Sequence, residues 1–216
     1  MDSINSKTQA RLELITADNP REAAFLESMV NLHAACILND HTMATFIPPL
    51  SHDRMQQRWR SFLNKASAQE RVIIACISSP ADRHDALYDI QLPFDTVKWP
   101  VISSTEELSG MVSLSMPESE TGPFRGIVQN LFVSPYHRRK GIATQLLQEL
   151  ERQAVDHGRW NLMLDTMQGS SAEALYHRLN WKELGVVKDY GIDPRDGRLL
   201  NEVFFWKDLR SSSVAS

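Results

Sequence analysis

The residues whose types and spacing could do chemistry are concentrated in one turn, Arg138-Arg139-Lys140-Gly141-Ile142-Ala143-Thr144. From Ile142 onward, Leu146, Leu147, Leu150 and Ala154 recur at helical spacing, and Gly158 stands where a left-handed residue ends a helix. The turn therefore sits on a helix N-terminus, where the first amides lack intrahelical acceptors and the dipole adds about half a positive charge. Gly141 and Ala143 offer little or no side chain, and three cations lie alongside. This is an anion cradle suited to a diphosphate. It is neither a Walker loop nor a G-x-G-x-x-G turn. The His137–Lys140 run also has a nucleic-acid or nuclear-localisation reading. It is short, isolated and followed at once by the small-residue helix start, which favours phosphate.

Arg138-x-x-Gly141-x-Ala143 resembles the Q/R-x-x-G-x-G/A signature of the GNAT acyltransferase superfamily. The approach Leu131-Phe132-Val133-Ser134-Pro135 and the later Ala172-x-x-Leu175-Tyr176 extend the likeness. LDTMQGSSAEALY, followed by a GIDPRDGR turn, is similar to the tabtoxin-resistance type of acetyltransferase. The resemblance implies acetyl-CoA as co-substrate. Its pyrophosphate would lie on Arg138, Arg139, Lys140, Gly141, Ile142, Ala143 and Thr144, its pantetheine arm along Leu131, Phe132 and Val133, with Ser170 a further contact. It also implies that Tyr176 protonates the leaving sulfur; the structural alternative is an aromatic packed with Ala172, Leu175 and Leu179. Asp165 matches an acceptor-facing aspartate, against the alternative of a carboxylate capping the next turn. The strand glutamate that many members use as base has no counterpart in Arg125–Gln129. By the same resemblance Asp40, His41 and Phe46, between the first two helices, become acceptor-pocket candidates; the alternative is a proline-stiffened loop with Phe46 and Ile47 plugging the core.

Acetyl transfer from a thioester needs a neutral amine, a stabilised carbonyl oxygen and a protonated leaving thiolate. No metal is required, and the seven histidines and two cysteines show no ligand-spaced cluster. The chain thus reads as an N-acetyltransferase for a small-molecule amine: a toxin, an antibiotic or an amino-acid-like metabolite. A peptide acceptor, or a coenzyme A-binding module without catalysis, are the other readings.

The elements that must position these residues follow from periodicity. A polar segment, 1–10, is expected to be disordered. Arg11–Thr16 alternates as a strand, and Asp18-Asn19-Pro20 starts a helix with Phe25, Met29, Leu32 and Cys36 on its buried face. Met55, Trp59, Phe62 and Leu63 mark a second helix over 52–66; Arg71–Ile77, Leu108–Met116 and Ile127–Val133 are strands. Residues 78–105 form a long insertion with three prolines. Trp160–Thr166 reads as a strand buried on both faces, Ser170-x-x-Glu173 as a capping box, and Trp181–Tyr190 with Leu199–Leu209 as a hairpin. A flexible tail, 210–216, closes the chain. The order predicts one domain, 11–209, of α+β class: a mixed, mostly antiparallel sheet, splayed at the cofactor strand, with helices on both faces. A net charge of −4 gives no general reason to expect nucleic acid or anionic membrane as a partner. Two cysteines in apolar segments, and no spanning segment or leader pattern, point to the cytoplasm. A homodimer is possible by resemblance.

Overall fold

A computed structural model describes residues 10–40, 42, 45–83 and 101–210. Strands β1 (Arg11–Leu14), β2 (Arg71–Ser78), β3 (Glu107–Ser115), β4 (Arg125–Val133), β5 (Asn161–Met167), β6 (Lys182–Ile192) and β7 (Leu199–Asp208) form one sheet in the order β1-β2-β3-β4-β5-β7-β6. Four helices accompany it: α1 (Glu22–Asp40), α2 (His52–Ser67), α3 (Ile142–Asp156) and α4 (Ser171–Arg178). Every neighbouring pair of strands is antiparallel except β4 and β5, which the α3 crossover makes parallel. The chain is the α+β fold that its pattern predicts.

Two apolar cores lie on opposite faces of the sheet. Ile73, Ala75, Ile77, Met111 and Phe132 pack under α1 and α2. Val72, Ile74, Cys76, Val112, Leu114, Leu162 and Leu164 pack under α3 and α4. Burial of alternate residues on both faces is why β2 reads as an unbroken apolar run. Both cysteines are free and buried, as expected, and burial pushes both thiols up from their ordinary range.

β5 departs from expectation. Leu162 and Leu164 are buried, but Met163 and Asp165 are exposed on the opposite face. The helices of that face, α1 and α2, pack against β2–β4 and leave β5 uncovered. The first helix also begins later than expected: Asn19 Oδ1 accepts from the Arg21 amide at 2.9 Å in a turn before Glu22. Of the insertion, 84–100 lies outside the described residues. Its flanks form a capped 3-10 turn, Pro80–Asp82, and a bridge from Val101 to Glu107. Of the segments expected to be disordered, 1–10 and 210–216, residues 1–9 and 211–216 also lie outside them, whereas Ala10 packs against the α3 core and Arg210 pairs with Asp208 at 2.7 Å.

Two local features shape the middle of the sheet. β4 pairs with β5 only through Arg125, Gly126 and Ile127, so the strands part beyond Ile127. Between Gln129 and Phe132 the register on β3 slips by one residue, and Asn130 takes φ 58°. This bulge reverses the alternation. Before it Val128 faces the α3 core; after it Leu131 and Val133 do, and Phe132 turns to stack on His33 with centroids 4.7 Å apart. Gly110 on β3 then admits the start of α3: a Cβ there would stand 2.8 Å from Ile142 Cγ2.

Candidate active site

The cradle stands at the end of β4. Ser134 ends the strand and caps a 3-10 turn, Pro135–His137, its hydroxyl accepting from the Tyr136 amide at 3.2 Å. Arg139 and Gly141 both adopt left-handed conformations, φ 62° and 78°, and Gly141 occupies the N-cap of α3 without a side-chain cap. The amides of residues 139–144 donate to no acceptor among the described residues, since the helical ladder begins with Gln145 on the Gly141 carbonyl at 3.0 Å. A Cβ on Gly141 would meet only Gln145 Nε2, at 3.9 Å, so the approach to these amides is open. Such alternation of backbone conformation makes an anion-binding concavity, and an uncapped helix end strengthens it. The residues present fit a diphosphate.

The three cations of the turn differ in their commitments. Arg138 pairs with Asp40, the last residue of α1, and Lys140 donates to the Asp82 carbonyl. Arg139 is exposed and makes no ion pair among the described residues. Asp40, predicted to face the acceptor, thus also ties α1 to the cradle.

Beneath the turn lies a buried ionic cluster that sequence reasoning missed. Glu107 and His137 have side chains with 0% exposure, and His137 Nε2 stands 2.9 Å from Glu107 Oε1, within ion-pair distance though not in line for a hydrogen bond. Arg83 completes the cluster with a two-pronged contact, Nε to Oε2 at 2.9 Å and Nη2 to Oε2 at 2.5 Å. Burial by itself would raise the Glu107 carboxyl, but His137 and Arg83 overcome it and hold the group below its ordinary range. No local pattern signals this cluster, because its members lie 24 and 30 residues apart from Glu107 in sequence (107 − 83; 137 − 107).

Tyr176 projects from α4 into the core under β5 and β7, 5% exposed, beside Trp181 and Phe205 at 6.0 and 5.6 Å between centroids. Its hydroxyl makes no hydrogen bond among the described residues. Burial, reinforced by Asp165, pushes the hydroxyl well above its ordinary range, so it keeps its proton and can only donate it. The helix is set by Ser170, whose Oγ accepts from the Glu173 amide at 3.2 Å; Glu173 in turn takes the Gly169 amide rather than closing the predicted box on Ser170. The Ser170 hydroxyl is therefore occupied as a cap.

Asp165 lies on the other face, opposite Phe204 of β7, with Glu202 two residues along opposite Met167. Glu202 is 8% exposed. Its carboxyl is pushed up to about 7, first by burial and then by the neighbouring Asp165. A carboxyl poised near neutrality beside a second one can hold a cation or take a proton. Sequence reasoning found Asp165 but not Glu202. Its only sequence signal is an acidic residue inside an apolar strand, Leu199–Asp208.

Phe46 is half-buried, 5.5 Å from the His33 ring, whereas Ile47, expected to plug the core with it, is half exposed. His41 lies outside the described residues. Glu173, His177 and Glu183 bring three potential ligand atoms within 4.8 Å at the surface. A hollow of about 190 Å³ between β1 and α3, lined by Leu12, Ile74 and Gln153 among others, contains none of the site residues.

Across the gap between β4 and β5 stand, on one face, an open anion cradle and a protonated phenol, and on the other a carboxylate pair. Residues 55–181 match the acetyltransferase (GNAT) family. Over 107 residues the chain is 32% identical to an uncharacterised N-acetyltransferase, YsnE, of Bacillus subtilis strain 168, covering 48% of this chain and 64% of that protein, less than two thirds of its length. Among solved structures, a GNAT phosphinothricin acetyltransferase from Sinorhizobium meliloti in complex with acetyl-CoA superimposes with TM-score 0.63 at 20% identity, covering 93% of this chain and 88% of that one. An N-acetyltransferase from Staphylococcus aureus Mu50 gives 0.60 at 17%, covering 92% and 99%. Arabidopsis thaliana NAA60 with a bisubstrate analogue gives 0.58 at 16%, covering 93% and 99%. These likenesses carry the fold, and the match over 55–181, which contains both the cradle and Tyr176, makes this chain a member of the acetyltransferase (GNAT) family.

Proposed function

We propose that the chain is an acetyl-CoA-dependent N-acetyltransferase acting on the amine of a small molecule. The observation that carries this reading is the gap between β4 and β5, with the uncapped start of α3 and Tyr176 on one face and Asp165 with Glu202 on the other. Acetyl-CoA supplies an activated thioester. The amides of residues 139–144, with Arg139, would hold its diphosphate. The edge of β4 beyond Ile127, free of a β5 partner, would receive its pantetheine along Leu131, Phe132 and Val133. Asp165 and Glu202 would hold the incoming ammonium and accept its proton. Tyr176, protonated throughout the physiological range, would return a proton to the leaving sulfur.

The likeness to the tabtoxin-resistance type and the phosphinothricin acetyltransferase structure support a small acceptor. A cytoplasmic place is consistent with the reading, and no helix among the described residues is long and apolar enough to cross a membrane. Among the described residues β6 is an edge strand exposing Leu184, Val186 and Val187, which supports pairing of two copies. The test is release of free thiol from acetyl-CoA with a panel of small amines and lysine-containing peptides at equal concentration. Turnover of small amines is the expected result. Peptide turnover exceeding that of every small amine would assign a peptide acceptor instead, and acetyl-CoA binding with no turnover would leave a binding module.

A further inference from the structure

On the face that carries Asp165, the sheet also holds a charge with no counterpart among the described residues. Arg71, the first residue of β2, is 6% exposed. Its guanidinium reaches across two strands, Nη1 to Ser113 Oγ of β3 at 2.8 Å and Nη2 to Gln129 Oε1 of β4 at 3.0 Å, and lies 3.8 Å from the centroid of Phe62. Its Nε is buried without a partner. Arg58 of α2 approaches the same ring at 4.7 Å, and its Nε too is buried and unpartnered. Neither arginine forms an ion pair with a carboxylate among the described residues.

This arrangement is costly for a purely structural role. Ser113 and Gln129 could be bridged by a neutral donor. A buried guanidinium without an anion bears a desolvation penalty that no Coulomb attraction offsets. A second guanidinium on the same ring adds repulsion. The strain shows in Arg71 itself, whose pKa is lowered to about 10, first by burial and then by Arg58. Two arginines on one ring, each with an Nε that has no partner among the described residues, carry the kind of donor that pairs with a carboxylate or a related oxyanion.

Their place in the sheet connects them to the gap. Gln129, which holds Arg71, is the last residue of β4 before the bulge, two beyond Ile127, where β4 and β5 part. On the far side stands Asp165, two residues beyond Met163, the partner of Ile127. Gln129 and Asp165 thus stand at matching positions across the parted strands, so the guanidinium that Gln129 holds and the carboxylates border the same gap, one strand spacing of ~4.8 Å or more apart. We propose that Arg71, assisted by Arg58, binds an anionic group of the acceptor, so that the preferred amine also carries a carboxylate or similar oxyanion. The inference rests on the proposed acetyl transfer to a small amine and names the class of that amine.

The experiment compares amino acids with their carboxamides and the corresponding alkylamines by thiol release. At neutral pH the carboxamides hold more neutral amine, so intrinsic reactivity favours them, and a preference for the acids must come from binding. The acids should be favoured at least tenfold in kcat/KM. Arg71→Gln should raise KM for the acids by at least tenfold and leave KM for acetyl-CoA unchanged, while turnover of the alkylamines holds. Arg58→Gln, on a less buried residue, should act in the same direction more weakly. A structural Arg71 would instead lower Tm and affect all amines alike. The same chemistry is read without turnover by calorimetric binding of N-acetyl amino acids and their amides to the coenzyme A complex. Acid preference lost in Arg71→Gln supports the site even where no amine is acetylated, an outcome that would refute only the acetyl-transfer reading. Equal handling of acids and amides by the wild type, or a preference that survives Arg71→Gln, overturns it.

Discussion

Glu202 offers a test that separates electrostatics from packing. In the native chain its carboxyl titrates at about 7 instead of 4.5, because burial and Asp165 both oppose the charged form. Its contribution to stability is therefore complete below the unfolded value, and is lost as pH rises through 7. A rise from 4.5 to about 7 converts to ~3 kcal/mol. Asp165 is exposed to water, which screens the interaction, so ~1–2 kcal/mol is the expected size. Glu202→Gln keeps the shape and cannot ionise. Urea unfolding at steps from pH 4.5 to 8.5 should find the variant close to wild type at the acid end and about 1–2 kcal/mol more stable at the alkaline end. Asp165→Asn removes the second cause but not burial, so it should move the Glu202 midpoint only part of the way down. If the carboxyl pair takes the proton from the amine, kcat/KM should rise through pH ~7, and that rise should flatten in Glu202→Gln. A stability difference that does not change with pH would refute the reasoning, since nothing but ionisation of Glu202 gives it a slope.

The remaining predictions concern the cradle and the phenol. Tyr176→Phe keeps the ring beside Trp181 and Phe205, so kcat should fall about 10²-fold with Tm and acetyl-CoA affinity nearly unchanged; a Tm shift at constant kcat would return Tyr176 to packing alone. Gly141→Asp sets a carboxylate on a left-handed N-cap against the diphosphate, and calorimetry should show acetyl-CoA affinity reduced about tenfold or more in a folded protein. Glu107→Gln leaves Arg83 and His137 without their buried anion and should cost about 3 kcal/mol in urea unfolding. Because the Glu107 carboxyl is held below its ordinary range, its contribution is present above that range and is lost as pH falls through the native value, so the penalty should shrink in acid.

The sequence by itself determined what depends on neighbours along the chain. Helical spacing from Ile142 to Ala154, the small residues Gly141 and Ala143 and the strand stop at Ser134-Pro135 mark the cradle, because a helix N-terminus is a local object. Gly158 and Asn180 are left-handed as their positions predict, and the β6–β7 hairpin follows from its turn residues. Tertiary structure alone decided which charges meet. Arg138 reads as a free phosphate ligand until α1 brings Asp40 against it. Glu202 and Arg71 look like ordinary residues in apolar strands until pairing places one beside Asp165 and the other across Ser113 and Gln129. Asp165 itself seems buried on both sides until the helices are seen to stop at β4. Periodicity reports which face a residue takes, but the charge opposite it comes from a strand or helix distant in sequence, and desolvation and pairing are properties of that meeting.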